Sequence, residues 1–395
     1  MQILNVNSEI RIPEARPAPL RHARSAASAT ARQRGERKAE FRRPVWTLAA
    51  RYRKWREAED RNGSLLASGF GFPSDFGLRV SDLTRNHRCN SLPALAALLL
   101  TGAHLEKSAQ AAEETLFLAR PLTAENSFTT GIEGPACDAQ GNIYAVNFER
   151  PQTIGKVTPD GKGEVFVELP GNSIGNGIVI GRDGTMYVAD YVGHNILRIA
   201  PKSRAVSVWA HDDRMNQPND LAIAPSGSLY ASDPSWKDGT GQVWLATPAG
   251  KLSLVATNLG TSNGIEVSPD AKILYVNESV QRNVWAFIIE PDGSLTHKRL
   301  LKKFDTHGFD GMRCDVDGNL YITRHGKGKV VKLSPAGEVL REVDVLGSKP
   351  SNLCFGGPDG RTVYVTEVGH RRLVQFRVDR PGLAFARLST AESSR

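Results

Sequence analysis

From Leu116 onward the apolar positions fall in short runs. Several alternate strictly, as in Val165 and Val167 or Val206 and Val208, and clusters of Gly, Pro, Asp and Asn separate them. Period-two alternation between turn signals predicts β-strands. One unit stands out: Phe309 to Thr323 reads as a short strand, a tight Asp-Gly turn and a second strand ending in Tyr321-Ile322-Thr323. The Gly supplies the positive φ that such a turn requires. The unit recurs at Glu133 to Val146, Asn176 to Ala189, Asn219 to Ser232, Asn263 to Asn277 and Asn352 to Thr366. Its shared tyrosines are Tyr144, Tyr187, Tyr230, Tyr275, Tyr321 and Tyr364, with spacings of 43, 43, 45, 46 and 43.

An all-β repeat of this period predicts a six-bladed β-propeller with four-stranded blades over residues 113–380. In the second copy the four strands are Gly177 to Ile180, Thr185 to Ala189, Asn195 to Ile199 and Ala205 to Trp209. The last copy offers only three: Ser351 to Gly356, Thr362 to Thr366 and Arg372 to Val378. The N-terminal strand near residues 116–121 is expected to supply the fourth and close the ring, which removes free sheet edges. Residues 381–395 read as a short tail.

Counting back from each tyrosine finds a second regularity. Eleven residues before Tyr144, Tyr187, Tyr230 and Tyr321 stand Glu133, Asn176, Asn219 and Asp310; twelve before Tyr275 and Tyr364 stand Asn263 and Asn352. Asn and Asp at a strand start often serve only loop backbone. Six side-chain oxygens in register are better explained by a ring around a common axis, which suits a hard divalent cation. The loop after the second strand should share that face. It carries Asn147, Asp190, Tyr191, His194, Asp233, Trp236, Glu278, Arg324, His325, Glu367 and His370.

Charge alters the picture at the N-terminus only. The formal net charge is +8, but residues 1–90 hold 18 Lys+Arg against 9 Asp+Glu, so the repeats are close to neutral. The basic pI therefore gives no reason to expect a nucleic-acid partner for the propeller. Residues 1–82 have no clear period and read as a basic extension. Residues 83–112 resemble a secretory signal: Arg85 and Arg88, the apolar run from Leu92 to Leu100, then Ala109-Gln110-Ala111. The run is too short to cross a bilayer as a helix. It predicts a periplasmic or secreted protein, with translation starting near residue 83; the alternative is a cytoplasmic one. Cys137, Cys314 and Cys354 fall in predicted inner strands and read as small core residues.

Glu133-Gly134-Pro135, Pro218-Asn219-Asp220, Ser262-Asn263-Gly264-Ile265, Phe309-Asp310-Gly311-Met312 and Cys354-Phe355-Gly356-Gly357-Pro358 together resemble the motifs of the SMP-30/gluconolactonase/LRE family. The resemblance spans roughly residues 116–380. It implies a six-bladed propeller with one divalent cation, most often Ca²⁺ with Zn²⁺, Mg²⁺ or Mn²⁺ as alternatives. It also implies Glu133, Asn219, Asn263 and Asp310 as metal ligands, and hydrolysis of a lactone. Many members place an Arg shortly before the P-N-D Asn to hold substrate; here Gln217 stands near that point and Arg214 lies further off. The expected base is Asp310. Asn176 and Asn352 are expected to meet substrate hydroxyls, and Trp236, His194 and His370 to wall the pocket. The expected partner is a small-molecule substrate, with no stable membrane insertion and a monomer or small homo-oligomer as the assembly. Phosphoester or phosphofluoridate hydrolysis on the same ring, a non-catalytic NHL-like binding propeller, and a metal-independent condensing enzyme of the strictosidine-synthase kind are the rival readings.

Overall fold

The computed structural model describes residues 116–392. The basic extension and the signal-like segment lie outside these residues. Six four-stranded antiparallel sheets follow one another along the chain, one per repeat, as a six-bladed β-propeller. Their inner strands are Phe128–Cys137, Gly175–Ile180, Leu221–Ile223, Ser262–Val267, Met312–Cys314 and Pro350–Gly356.

Closure occurs at the expected place, by a shorter strand. Only Arg120–Pro121 forms a ladder with the last blade, pairing Arg120 with Gln375 and Pro121 with Val374. Leu116 adds one bridge to Arg377. Pro121 has no N–H to donate, which suits the outermost strand of a sheet.

The core lies between blades. Ala136, Tyr144, Val146 and Ile154 of the first blade pack on Ile178, Met186, Val188 and Leu197 of the second. Cys137, Ile143 and Ala145 pack on Cys354, Tyr364 and Leu373 of the sixth. The apolar alternation of each sheet is thus buried against its neighbour's. The three cysteines sit in these layers as free buried thiols.

The C-terminal segment departs from the sequence reading. Leu383–Glu392 is a helix. Leu383 is buried with Phe309 and Met312, and Arg387 donates to the carbonyls of Ile223 and Ser268. No turn or repeat signal marked this segment, because its apolar contacts are made with strands distant in sequence.

Candidate active site at the channel mouth

The inner strands carry the site, and irregular pairing aims its side chains. The register between first and second strands shifts around Glu133, between Gly175 and Ile178, between Ser262 and Ile265, and between Pro350 and Leu353. In the third and fifth blades the inner ladder begins only after Asn219 and Asp310, at Leu221 and Met312. A bulge bends a strand and redirects a side chain. Here it does so at the repeated polar position.

Neighbouring inner strands are stitched together at the same level. Gly177 N donates to Asn219 O at 2.7 Å, Gly264 N to Asp310 O at 3.1 Å, and Gly311 N to Ser351 O at 2.7 Å. The glycines allow this approach. A Cβ on Gly134, which has φ +53°, would lie 1.8 Å from Asn176 O, and one on Gly311 would lie 1.9 Å from Asn352 Oδ1.

The last contact corrects the sixth copy. Tyr364 pairs with Cys354, and three residues earlier stands Ser351. In the first blade Tyr144 pairs with Ala136, three after Glu133. So Ser351, whose carbonyl receives Gly311 N, is the true counterpart of Glu133, and Asn352 occupies the glycine position. One extra ladder pair, Gly356 with Thr362, lengthens this hairpin and hides the offset from a count along the sequence.

At the axis, Glu133 of the first blade and Asp310 of the fifth lie within hydrogen-bond reach of each other, with Asn263 beside Asp310 and Asn352 beside Glu133. Burial pushes the Glu133 carboxyl up to about 7, and Asp220 adds to the rise, while the Gly134 N–H at 2.7 Å, Asn352 and Arg313 oppose it. Burial also raises Asp310 well above the usual carboxylate range, and the charge on Glu133 raises it further. Two carboxylates this close, shielded from most of the solvent, cannot both ionise cheaply without a cation between them.

One step down the channel is a pair the motif reading left unassigned. Arg313 donates to both oxygens of Asp220, at 2.8 and 2.9 Å, linking the fifth blade to the third. Burial alone would lower the Arg313 pKa; Asp220 overrides this and raises it. The available signal was Asp220 itself, which stands where four other copies carry Gly134, Gly177, Gly264 and Gly311. At the mouth, Tyr191 lies in hydrogen-bond reach of Trp236 and Gln217 and in the field of Asp310; burial first, then that charge, pushes its hydroxyl up to about 12.

The polar residues that end the second strands behave differently. Asp190 accepts from Ile174 N, Gly193 N, Ser173 Oγ and Asn195 Nδ2. Asp233 accepts from Asn216 N, Gln217 N, Gln242 Nε2 and Trp244 Nε1. Glu278 binds Gly260 N and Asn283; Glu367 binds Lys349 N, Gly369 N and His370. Asn147 donates to Gly131 O, and Arg324 to the carbonyls of Thr306 and His307. Each grips the segment that leads into its own blade's inner strand. The carboxylates among them are committed to these loops and do not add oxygens to the axis; Arg324 keeps Nε and Nη1 without a hydrogen bond, its guanidinium 4.1 Å from the Phe304 ring centroid.

A family model for the SMP-30/Gluconolactonase/LRE-like region matches residues 131–369. The chain belongs to this family. It is 28% identical to a gluconolactonase of Zymomonas mobilis over 287 residues, 64% of this chain and 80% of that protein. It is 28% identical to a 6-deoxy-6-sulfogluconolactonase of Pseudomonas putida over 42% of this chain and 60% of that one. A solved calcium-binding regucalcin from Agrobacterium tumefaciens superposes with TM-score 0.60 at 20% identity, covering 68% of this chain and 97% of the other. At that identity the likeness speaks to fold.

The family implies a divalent cation, and the residues present fit one. The Oδ1 of Asn263 is buried without a hydrogen-bond partner, while its Nδ2 donates to Ser279 at 3.0 Å and so fixes which way the oxygen faces. An orphaned carbonyl oxygen beside two crowded carboxylates is a donor set for an oxygen-seeking ion. Among the described residues, no three His, Cys, Asp or Glu cluster as ligands, so amides must complete the set. The amides of Asn176 and Asn219 are largely buried. His194 Nδ1 pairs with Met215 O, and His370 Nδ1 with Glu367 at 2.8 Å; both rings hold turns. Arg214 is bound to Asp212 on the exposed rim.

Proposed function

We propose that the protein hydrolyses a small lactone in the channel mouth. The observation that carries this reading is the Glu133–Asp310 carboxylate pair beside the unpartnered Asn263 Oδ1, in a chain of a family whose relatives bear lactonase names. Glu133, Asn263 and Asp310, with Asn219 nearby, would hold a divalent cation, Ca²⁺ first. Bound there, such an ion supplies Lewis-acid polarisation of a carbonyl oxygen.

Asp310 takes a proton from water as the water oxygen adds to the lactone carbonyl carbon. The ring C–O bond then breaks, and the proton held on Asp310 goes to the departing alkoxide oxygen, so the carboxylate is regenerated. Glu133 stays a ligand. Asn176 donates to a substrate hydroxyl. Tyr191, Trp236 and Gln217 form a wall that replaces the usual arginine with neutral donors, so an uncharged lactone suits the mouth. The Asp220–Arg313 pair fixes the floor and screens part of the negative charge above it.

The test is ring opening across γ- and δ-lactones, with and without chelator. We expect turnover that falls on chelation and returns with Ca²⁺; hydrolysis of phosphoesters but of no lactone would reject the reading. On the leader grammar of residues 83–112 we further propose an exported protein, checked by N-terminal sequencing of the native product. Among the described residues no helix is long and apolar enough to cross a membrane.

A further inference from the structure

The channel mouth uses one face of the propeller, and the opposite, turn-bearing face carries a second cavity. It has a volume of about 450 Å³ and lies between the first two blades. Its walls are the Asp138–Asn142 and Gly181–Thr185 turns, the Pro201–Arg204 turn, and Leu388 of the C-terminal helix. A volume of several hundred Å³ is the size at which small organic ligands bind.

Four cations line it: Lys156, Arg182, Lys202 and Arg204. The two carboxylates in the lining are already committed. Asp138 accepts from Asn142 N, Asn142 Nδ2 and Tyr144 Oη at 2.8, 2.9 and 3.0 Å. Asp183 accepts from Thr185 N and Oγ1 at 3.0 and 2.7 Å. Both hold tight turns, and neither forms an ion pair with the four cations among the described residues. Residues 116–392 as a whole are balanced, with 30 Lys+Arg against 30 Asp+Glu, so this excess is local.

The wall is also partly aromatic and partly fixed. The Arg204 guanidinium lies 4.7 Å from the Phe166 ring centroid and donates to Phe166 O at 3.5 Å. Phe166 packs edge-on against Tyr144 at 4.9 Å. A guanidinium held on a ring needs little further ordering to grip an anion.

We propose that this cleft binds a phosphate monoester carrying a flat apolar group, of the class of phenyl phosphate or a mononucleotide. Arg182, Lys202 and Arg204 take the phosphate oxygens, and the Tyr144–Phe166 wall takes the apolar part. The site is separate from the carboxylate ring, because the 1–2 and 3–4 turns of a blade lie at the end of the inner strand opposite Glu133 and Asn176.

The probe is phenyl phosphate, titrated calorimetrically into the full chain, with inorganic phosphate and phenol as controls. Saturable one-to-one binding is expected, weaker for phosphate and absent for phenol. Combined Arg182→Ala and Arg204→Ala should weaken it on the order of tenfold or more, with the melting temperature and lactone hydrolysis unchanged. Absence of saturable binding, equal affinity in the double variant, or equal binding of phenol overturns the proposal. So does binding abolished by chelation or by Asn263→Ala but kept in the double arginine variant, which would place the ester in the channel.

Discussion

The propeller carries two sets of polar residues, one member of each in every blade. The first, beginning with Glu133 and Asp310, sits where inner strands start. The second, Asn147, Asp190, Asp233, Glu278, Arg324 and Glu367, ends the second strands. Both recur with the repeat; the second set is buried throughout, as are Asn176, Asn219 and Asn263 of the first, while Glu133 and Asp310 are half-buried. Their oxygens differ in how far their hydrogen-bonding capacity is used, although Arg324 of the second set also keeps two unpartnered nitrogens. Asp233 has four different donor groups around it, whereas Asn263 Oδ1 has none and Glu133 is pressed against another carboxyl. A buried polar group that is fully partnered stabilises; one left short of partners costs stability and is a place for a ligand. Unmet demand at the oxygens, more than polarity, separates the candidate site from the scaffold that aims it.

The comparison can be broken most sharply at Asp310. Asp310→Asn keeps the shape and removes the base, and turnover should fall by about 10²- to 10⁴-fold while the melting temperature holds or rises. A variant that retains full turnover would remove Asp310 from the role given to it. Asp233→Ala should do the reverse. Stranding the N–H groups of Asn216, Gln217 and Trp244 should cost about 3 kcal/mol or more, read by denaturant unfolding, with activity lost only as the fold is lost. Equal stability in that variant would dissolve the distinction between the two sets.

Smaller effects sharpen the boundary. Ending the chain after Asp379 removes the C-terminal helix and exposes the apolar surface that Leu383 covers, at a cost of about 2 kcal/mol, with the ring's chemistry kept; thermal unfolding and lactone hydrolysis together report it. The smallest change concerns an ion pair outside both sets. Arg377 binds Asp359 at 2.6 and 2.7 Å and holds its carboxyl at about 2. A depressed acid stabilises the fold above its unfolded pKa, near 3.9, and that contribution fades as pH falls toward 2. Both side chains are over a third exposed, so Arg377→Ala should cost under about 1 kcal/mol at neutral pH and flatten the stability profile between pH 4 and 2. A larger loss would mean the pair does more than close a turn.

The sequence alone determined the six-fold repeat, its all-β character, closure by the N-terminal strand, and the recurring polar position at which Glu133, Asn219, Asn263 and Asp310 stand. These follow from local rules: a period of alternation, a glycine turn, a residue count within one hairpin. What needed the tertiary structure was every relation between blades. Whether an oxygen is satisfied depends on donors one or two blades away, so Asp190 and Glu367 looked as free as Asn263 until their partners were in view. The offset of Ser351 against Asn352 depends on cross-strand pairing, which one extra ladder pair disguises. The Asp220–Arg313 pair joins residues 93 positions apart, and the helix at Leu383 is held by strands from other repeats. Local pattern writes the repeat; only closing the ring decides which of its polar groups are left wanting.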